Sequence, residues 1–196
     1  MGKAKVIYFY PVLSSFIKKD LDILKEEYKL ISKSFNPSKK AYLPFSFLSQ
    51  FFFLLKQILT ANIVVCRFVG YHSFLPAFFG WITGRPVLFI LGGTECHYFP
   101  KFNYGGFTNK LYATFIKLSF RFGSHIAPVH ESLVESDYEY DPSGEPRQGY
   151  KYFCPWVKIP YTPIYNGYDS SKFFYTGIER KANSFITIAS NFDGSE

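Results

Sequence analysis

The sequence predicts an α/β fold of the Rossmann-like class, with a doubly wound, mostly parallel sheet. Short apolar runs alternate along the chain with segments of helical periodicity, and the connections between them are short and contain Gly, Pro or Ser. Such alternation is typical of a parallel sheet with helices on both of its faces. With 196 residues, 47% of them hydrophobic and 19% charged, the chain can bury a core and does not have the composition of a disordered protein.

The predicted strands are mostly short apolar runs, typical of strands that are buried on both faces. They cover residues 6–10, 29–34, 63–66, 87–91, 126–129, 158–161 and 184–189. Helices are predicted where a Ser or Thr cap precedes apolar residues at spacings of three and four. They begin at Ser15, cover 45–60, run from Ser73 to Gly84 and from Thr108 to Gly123, and include a short helix at 131–138. Residues 137–152 are polar and contain Pro and Gly, which predicts a mobile surface loop.

Two helices carry more specific predictions. The helix at 45–60 is apolar almost all round, which predicts deep burial, with contact with lipid or a partner as the alternative. In the helix that begins at Thr108, one apolar stripe is predicted to face inward and one basic stripe outward. The inward residues are Leu111, Phe115, Leu118 and Phe122, and the outward residues are Lys110, Lys117 and Arg121.

The charge distribution is uneven. The formal net charge is +7, and residues 1–60, with 10 Lys and 4 acidic residues, carry +6 of it. This surplus suits contact with a phosphate group or with an anionic membrane, and a merely solvated surface is the alternative. No helix-turn-helix, zinc or RNA-binding motif accompanies it, so no nucleic acid partner is expected.

The cysteines and the apolar runs indicate in which cellular compartment the protein is expected. Cys66, Cys96 and Cys154 lack CxxC spacing, which predicts no disulfide framework and no metal site. Reduced thiols of this kind suit a cytoplasmic protein, either free or at the inner face of the cytoplasmic membrane. No stretch reaches the roughly 20 clean apolar residues of a membrane span.

Ligands of doubly wound folds bind beyond the carboxyl ends of the strands. Here that edge comprises the loops 11–15, 67–73 and 92–98 and the segment 162–169. The candidate substrate-binding residues on the first three are Ser14, Ser15, Arg67, His72, Gly92, Gly93, Thr94, Glu95 and His97.

The segment KIPYTPIYNGYDSSKF carries the most specific resemblance to a known family. With Ile164, Asn166, Gly167, Asp169 and Phe173 in the expected places, it is similar to the end of the N-terminal domain in GT-B glycosyltransferases of the group 1 type. The order of the preceding elements also resembles that domain. The resemblance implies an acceptor-side domain at 1–173, a hinge at 174–183, and at 184–196 the first strand of a donor-binding domain that the chain lacks.

The same resemblance implies a function. Such enzymes, hexosyltransferases among them, move a sugar from a nucleotide sugar to a glycan or lipid-linked acceptor in cell-surface polysaccharide synthesis. No cofactor is expected besides the donor substrate, and half a cleft is expected to have negligible activity. The basic stripe of Lys110, Lys117 and Arg121, the Lys-rich first third and the apolar residues 51–55 together suggest peripheral attachment to an anionic membrane that carries a lipid-linked acceptor.

Several of the candidate residues can act either on a ligand or in holding the local structure. Backbone amides near Ser14 and Ser15 can face a phosphate, and Arg67 can contact phosphate or pair with Glu95. Glu95 can accept two sugar hydroxyls or cap its own loop, beside glycines that let a ligand approach the backbone. His72 matches a family histidine and can bond an acceptor hydroxyl or hold its loop. His72 and Glu95 are the candidate catalytic residues.

Two other classes of function use a similar α/β domain. A self-contained, flavodoxin-like domain that binds a nucleotide or a partner without catalysis is the main alternative. A nucleotide-sugar epimerase or dehydrogenase is disfavoured, because the first strand is not followed by GxGxxG.

Overall fold

The computed structural model describes residues 2–35, 40–139, 145–167, 170–171, 174, 176–177 and 183. Residues Met1–Tyr165 form one compact unit, and Asn166–Glu196 form a second one of which few residues are described. The predicted hinge, the last predicted strand, Asp169 and Phe173 therefore lie wholly or mostly outside the described residues.

The predicted Rossmann-like α/β class is confirmed. Five parallel strands form one sheet in the order β2-β1-β3-β4-β5. These strands are β1 (Lys5–Tyr10), β2 (Lys29–Ser34), β3 (Ile63–Arg67), β4 (Val87–Leu91) and β5 (His125–Pro128). The main helices are α1 (Ser15–Glu27), α2 (Leu43–Gln57), α3 (Tyr71–Thr83) and α4 (Lys110–Phe122).

Helices cover both faces of the sheet, as the alternation of elements predicts. On one face Val6, Tyr8 and Val65 pack against Ile17 and Leu21 of α1. On the other face the alternate strand residues form the larger core with α2, α3 and α4. Successive side chains of a strand point to opposite faces, so the continuous apolar runs of the sequence are what a sheet buried on both sides requires.

The predicted helix caps are displaced by one to three residues. Ser14 occupies the N-cap of α1, and Asn109 caps α4 by accepting a hydrogen bond from the Tyr112 amide. Ser73 lies inside the first turn of α3, where its hydroxyl bonds the Gly70 amide and the Gly70 carbonyl. The hydroxyl still provides a hydrogen-bond partner for the backbone at the N-terminus of the helix, although it does so from the third helical position.

The predicted stripes of α4 are correct in part. The outward residues Lys110, Lys117 and Arg121 are exposed, and Phe122 of the predicted inward stripe is partly buried against the core. The fully buried residues are instead Ala113, Ile116, Ser119 and Phe120, whereas Leu111 is exposed. Both stripes are apolar, so periodicity alone does not choose between them. Close packing on α3 decides, with the Ser119 and Ser73 hydroxyls 2.8 Å apart.

The region after β5 is more ordered than predicted. Instead of a helix at 131–138 there is a 3₁₀ turn, Glu131–Leu133, followed by a hairpin of β6 (Ser136–Asp137) and β7 (Arg147–Gln148) and the short helix α5 (Tyr150–Phe153). The Gln148 side chain bonds both the amide and the carbonyl of Tyr98. This contact across about 50 residues of sequence buries a stretch that composition assigns to the surface, and 140–144 lies outside the described residues.

The strand predicted at 158–161 is present only as an isolated parallel bridge between Tyr161 and Ile126 of β5. The Ile126 amide donates to Pro160, and the Thr162 amide donates to Ile126. Proline has no amide hydrogen to donate, so Pro160 and Pro163 limit a regular ladder.

The predicted deep burial of the all-round apolar helix is wrong. The window Leu43–Thr60, which comprises α2 and a 3₁₀ turn, has only 17% of its residues buried. By length and composition this window is also able to cross a membrane, with a mean hydropathy of 1.3. Its inner side nevertheless belongs to the core of the domain, through Leu54 and Ile58.

Candidate functional site

The carboxyl ends of β3, β4 and β5 bring three loops to one edge of the sheet. Parallel strands end at the same edge, where a doubly wound fold binds its ligands. β3 ends at Arg67, and the next residue, Phe68, has a left-handed φ of 64°. A non-glycine residue in this region is uncommon and turns the chain sharply. β4 is followed by Gly92 and the 3₁₀ turn Thr94–Cys96.

Glu95 is the most unusual residue at this edge. Its side chain is almost wholly buried, with 1% of its surface exposed. Oε1 accepts a hydrogen bond of 2.8 Å from the Gly92 amide, so the carboxylate caps its own loop. Oε2 is also buried and accepts no hydrogen bond from the described residues. A buried carboxylate oxygen without a partner is costly, because it has lost its hydration without replacement.

The environment of Glu95 shifts its protonation. Burial raises the pKa of Glu95 from 4.5 to about 7, because the charged form is poorly solvated. The backbone amides of Glu95 itself, Gly92 and Gly93 and the charge of Arg67 lower the pKa but do not outweigh burial. A carboxyl group with this pKa can accept or donate a proton near neutral pH, as general acid–base chemistry requires.

Arg67 lies at the centre of a buried polar network that includes Asp20, which the sequence analysis did not single out. The guanidinium Nη1 is 3.4 Å from Asp20 Oδ2, and the same oxygen accepts a 2.6 Å hydrogen bond from the Tyr8 hydroxyl. Asp20 follows the buried residue Ile17 by three positions and therefore lies on the apolar face of α1. An acidic residue on that face is the sequence signal by which Asp20 could have been identified. Of the two roles predicted for Arg67, the ion pair with Glu95 is replaced by the contact with Asp20, and contact with a phosphate stays a prediction.

Two aromatic rings hold the Arg67 side chain. Its guanidinium carbon lies 5.2 Å from the centre of the Phe16 ring and 5.4 Å from that of Phe68. Cation–π contacts of this kind fix the orientation of a guanidinium. Phe16 belongs to the first turn of α1, so this contact brings the start of α1 to the end of β3.

His72 holds the loop that follows β3. The ring is buried, and Nε2 lies 2.8 Å from the Arg67 carbonyl oxygen, to which it donates as a neutral imidazole. Burial lowers the pKa of His72 from 6.5 to about 4, so the ring is neutral near pH 7. The His72 carbonyl in turn accepts a hydrogen bond of 2.7 Å from the buried Gln50 side chain. These contacts correspond to the loop-holding alternative, and contact of His72 with a substrate stays a prediction.

The remaining predicted site residues surround this edge without joining one cluster. Ser14 Oγ is buried and makes no hydrogen bond to a described residue, while Ser15 and Thr94 are exposed. His97 is half-buried and stacks on Phe99, with ring centres 5.5 Å apart. Gly93 has a φ of 138°, which a residue with a Cβ rarely adopts.

The Phe68 ring packs closely against the backbone of Gly92. A Cβ added there would lie 2.1 Å from the Phe68 ring, the ring that also contacts Arg67. Gly92 therefore allows the loops after β3 and β4 to meet. Arg67, Gly92 and Glu95 are the predicted site residues that the structure brings together.

A cavity beside α4 was not predicted from the sequence. It has a volume of about 420 Å³ and lies among aromatic and charged side chains. They include Tyr98, Phe107, Lys110, Lys117, Glu145 and Phe153. Its size falls in the range of small-molecule sites, and Phe107 and Phe153 stack within it at 4.4 Å. Two of its residues, Lys110 and Lys117, belong to the basic stripe of Lys110, Lys117 and Arg121 that the sequence predicts on the outward side of α4.

The described residues offer no cluster of three or more His, Cys, Asp or Glu side chains that could hold a metal ion. All three cysteines are free and buried. Burial raises the pKa of the Cys66 and Cys96 thiols, which makes them poor nucleophiles at neutral pH.

Comparison with known proteins gives no family assignment. No family model matches the chain, and no curated protein matches it significantly.

Proposed function

We propose that the chain is the acceptor-side domain of a glycosyltransferase that moves a hexosyl group from a nucleotide sugar to a glycan or lipid-linked acceptor. The reaction would serve cell-surface polysaccharide synthesis on the cytoplasmic side of the membrane. The buried Glu95 carboxylate at the carboxyl edge of the sheet, with one oxygen lacking a hydrogen bond among the described residues, carries this proposal.

The proposed chemistry assigns one step to this edge. The acceptor hydroxyl oxygen forms a bond to the anomeric carbon of the donor while the bond from that carbon to the nucleoside diphosphate breaks. The hydroxyl proton must leave as the new bond forms. A carboxylate whose pKa is about 7 is suited to accept it, because a base works best when its pKa is near the working pH.

The neighbouring residues act as positioning residues in this proposal. Gly92 is exposed and offers backbone close to the carboxylate, so an acceptor hydroxyl can approach over it. Arg67 is held by Asp20 and two aromatic rings, and its charge favours the ionised form of Glu95. His72 fixes the loop that presents Arg67. The nucleotide sugar would be bound mainly by a separate donor-binding domain.

Sugar binding by the chain itself tests the proposal. The probes are the methyl glycosides of glucose, galactose, mannose, rhamnose and N-acetylglucosamine, measured by saturation-transfer NMR. We expect at least one glycoside to bind, and Glu95→Gln to weaken it about tenfold, because a hydrogen bond to a charged group is lost. Glu131→Gln, an exposed acid on the adjacent loop, is the matched control and should leave binding unchanged.

Two results would overturn the proposal. One is the absence of binding by every glycoside, and the other is binding that Glu95→Gln and Glu131→Gln affect equally. Binding of flavin mononucleotide or ATP in place of the glycosides would favour the non-catalytic, flavodoxin-like alternative. Circular dichroism of both variants establishes that a loss of binding is not a loss of fold.

A further inference from the structure

The outward side of α2 is a continuous apolar stripe. Phe45, Leu48, Phe52 and Leu55 of α2 and Leu59 of the 3₁₀ turn that continues it (Ile58–Thr60) follow one another at spacings of three and four, and each is at least half exposed. These spacings place all five side chains on one side of the helix. A soluble protein rarely presents a stripe of this length to water, so it marks a surface that contacts another apolar body.

An apolar groove runs along one side of this stripe. Pro44, Phe47 and Phe51 of α2 form one side of it, and Phe74 and Phe115 belong to the facing helices. Its volume is about 430 Å³ and its lining is almost entirely carbon. The apolar surface is therefore broader than one helix and includes a recess beside it.

The opposite side of α2 is part of the domain. Leu54 and Ile58 are fully buried in the main core. Gln50, which lies on the same side, donates its hydrogen bond to the His72 carbonyl. A helix fixed in this way cannot be surrounded by lipid without opening the core, so α2 is suited to lie along a membrane surface and not to span it.

The charge around the stripe indicates what kind of partner contacts it. Residues 28–94 contain seven of the 22 basic residues and none of the 15 acidic ones. One of the seven, Arg67, is buried against Asp20, so it does not contribute to the charge around the stripe. Lys56 is exposed on α2 itself, and Lys33 is anchored beside it by Ser49 at 3.0 Å. Arg85 bonds the Leu59 carbonyl at the end of the stripe.

A second copy of the chain fits this surface poorly. Pairing two such faces would bring basic rims together and oppose like charges. An anionic bilayer instead offers acyl chains to the stripe and headgroup charge to the rim, where lysine side chains can reach outward.

We propose that this face docks on an anionic lipid bilayer, with α2 parallel to the membrane plane and Phe45, Leu48, Phe52, Leu55 and Leu59 inserted at the headgroup boundary. The proposal is independent of glycosyl transfer. Its test contains no sugar, so the two proposals can fail separately.

Vesicle flotation of the full chain tests the proposal. The vesicles are equimolar phosphatidylglycerol and phosphatidylcholine, compared with phosphatidylcholine alone. We expect binding to the anionic vesicles and a loss of about a hundredfold in partitioning for Phe52→Gln/Leu55→Gln, because two large apolar side chains leave the lipid. Lys56→Gln should weaken binding to anionic vesicles about fivefold.

The matched control is Ile23→Gln/Phe102→Gln, which removes two equally exposed apolar residues outside this surface. It should bind as the wild type does. Hydrogen exchange should show protection by vesicles of the amides in Leu43–Thr60. The proposal is overturned by no binding to anionic vesicles, by equal loss in both double variants, or by retention on the vesicles after alkaline carbonate extraction. A dimer that Phe52→Gln/Leu55→Gln dissociates, without vesicle binding, would also overturn it.

Discussion

Replacing Glu95 with Gln should change how the stability of the domain depends on pH. The substitution keeps the shape of the side chain and its hydrogen bond from Gly92 but removes the ionisable group. In the wild type the pKa of Glu95 is raised by burial from 4.5 to about 7. The folded protein therefore holds a proton that the unfolded chain releases, and stability falls as pH rises from about 4.5 to 7.

The size of the effect follows from the two pKa values. A difference of one unit between the folded and unfolded pKa changes the free energy of unfolding by about 1.4 kcal/mol. Integrated between pH 5 and pH 8, ionisation of Glu95 should lower the free energy of unfolding of the wild type by about 2–3 kcal/mol. Glu95→Gln lacks this loss, so the variant should gain that amount relative to the wild type over the same interval.

Urea unfolding of both proteins at pH 5, 6, 7 and 8 measures this difference directly. The comparison must be made at each pH, because His72 acts in the opposite direction. Its pKa is lowered to about 4, so His72 costs stability as pH falls from 6.5 toward 4. Groups common to both proteins cancel when the difference is taken.

Parallel stability curves for wild type and Glu95→Gln would refute this reasoning. They would mean that Glu95 titrates alike in the folded and unfolded chain and is not desolvated. A gain at high pH that Glu131→Gln reproduces would refute it as well, because Glu131 is exposed.

Two further substitutions test the loops of the candidate site. His72→Gln should lower the free energy of unfolding at pH 7.5 by about 1–2 kcal/mol through loss of the hydrogen bond to the Arg67 carbonyl. This deficit should shrink at pH 5 in urea unfolding, and a deficit that grows there would contradict the prediction. Gly92→Ala should cost about 1–3 kcal/mol, because its Cβ would lie 2.1 Å from the Phe68 ring. Gly167→Ala, where no atom lies within 4 Å of the added Cβ, is the control, and equal thermal melting of the two variants would count against the clash.

The strands were predictable because their signal is local. The runs at 6–10 and 87–91 are apolar and short, and the structure places strands there within a residue of the predicted bounds. The start of α3 was less accurate, because Ser73 can satisfy Gly70 from inside the helix. A cap sequence specifies that a helix begins nearby but not which residue takes the cap position.

The candidate site was predictable in its location but only in part in its contacts. Counting strands places Arg67 and Glu95 at the same edge of the sheet, and the structure confirms this placement. Counting strands does not indicate that Arg67 pairs with Asp20, since Asp20 lies 47 residues earlier in the chain. Contacts between such distant residues depend on how helices settle on the sheet.

The sequence by itself determined the class of fold, the order of its five sheet strands and four main helices, and the sheet edge at which a fold of this class is expected to bind a ligand. These follow from periodicity and from the topology of parallel sheets, which are local or general properties. Only the tertiary structure decided that α2 is half outside the core, which stripe of α4 is buried and that Glu95 Oε2 lacks a described hydrogen-bond partner. The physical reason is that burial and hydrogen bonding are properties of neighbours in space, and an apolar helix has the same sequence whether protein or lipid covers it.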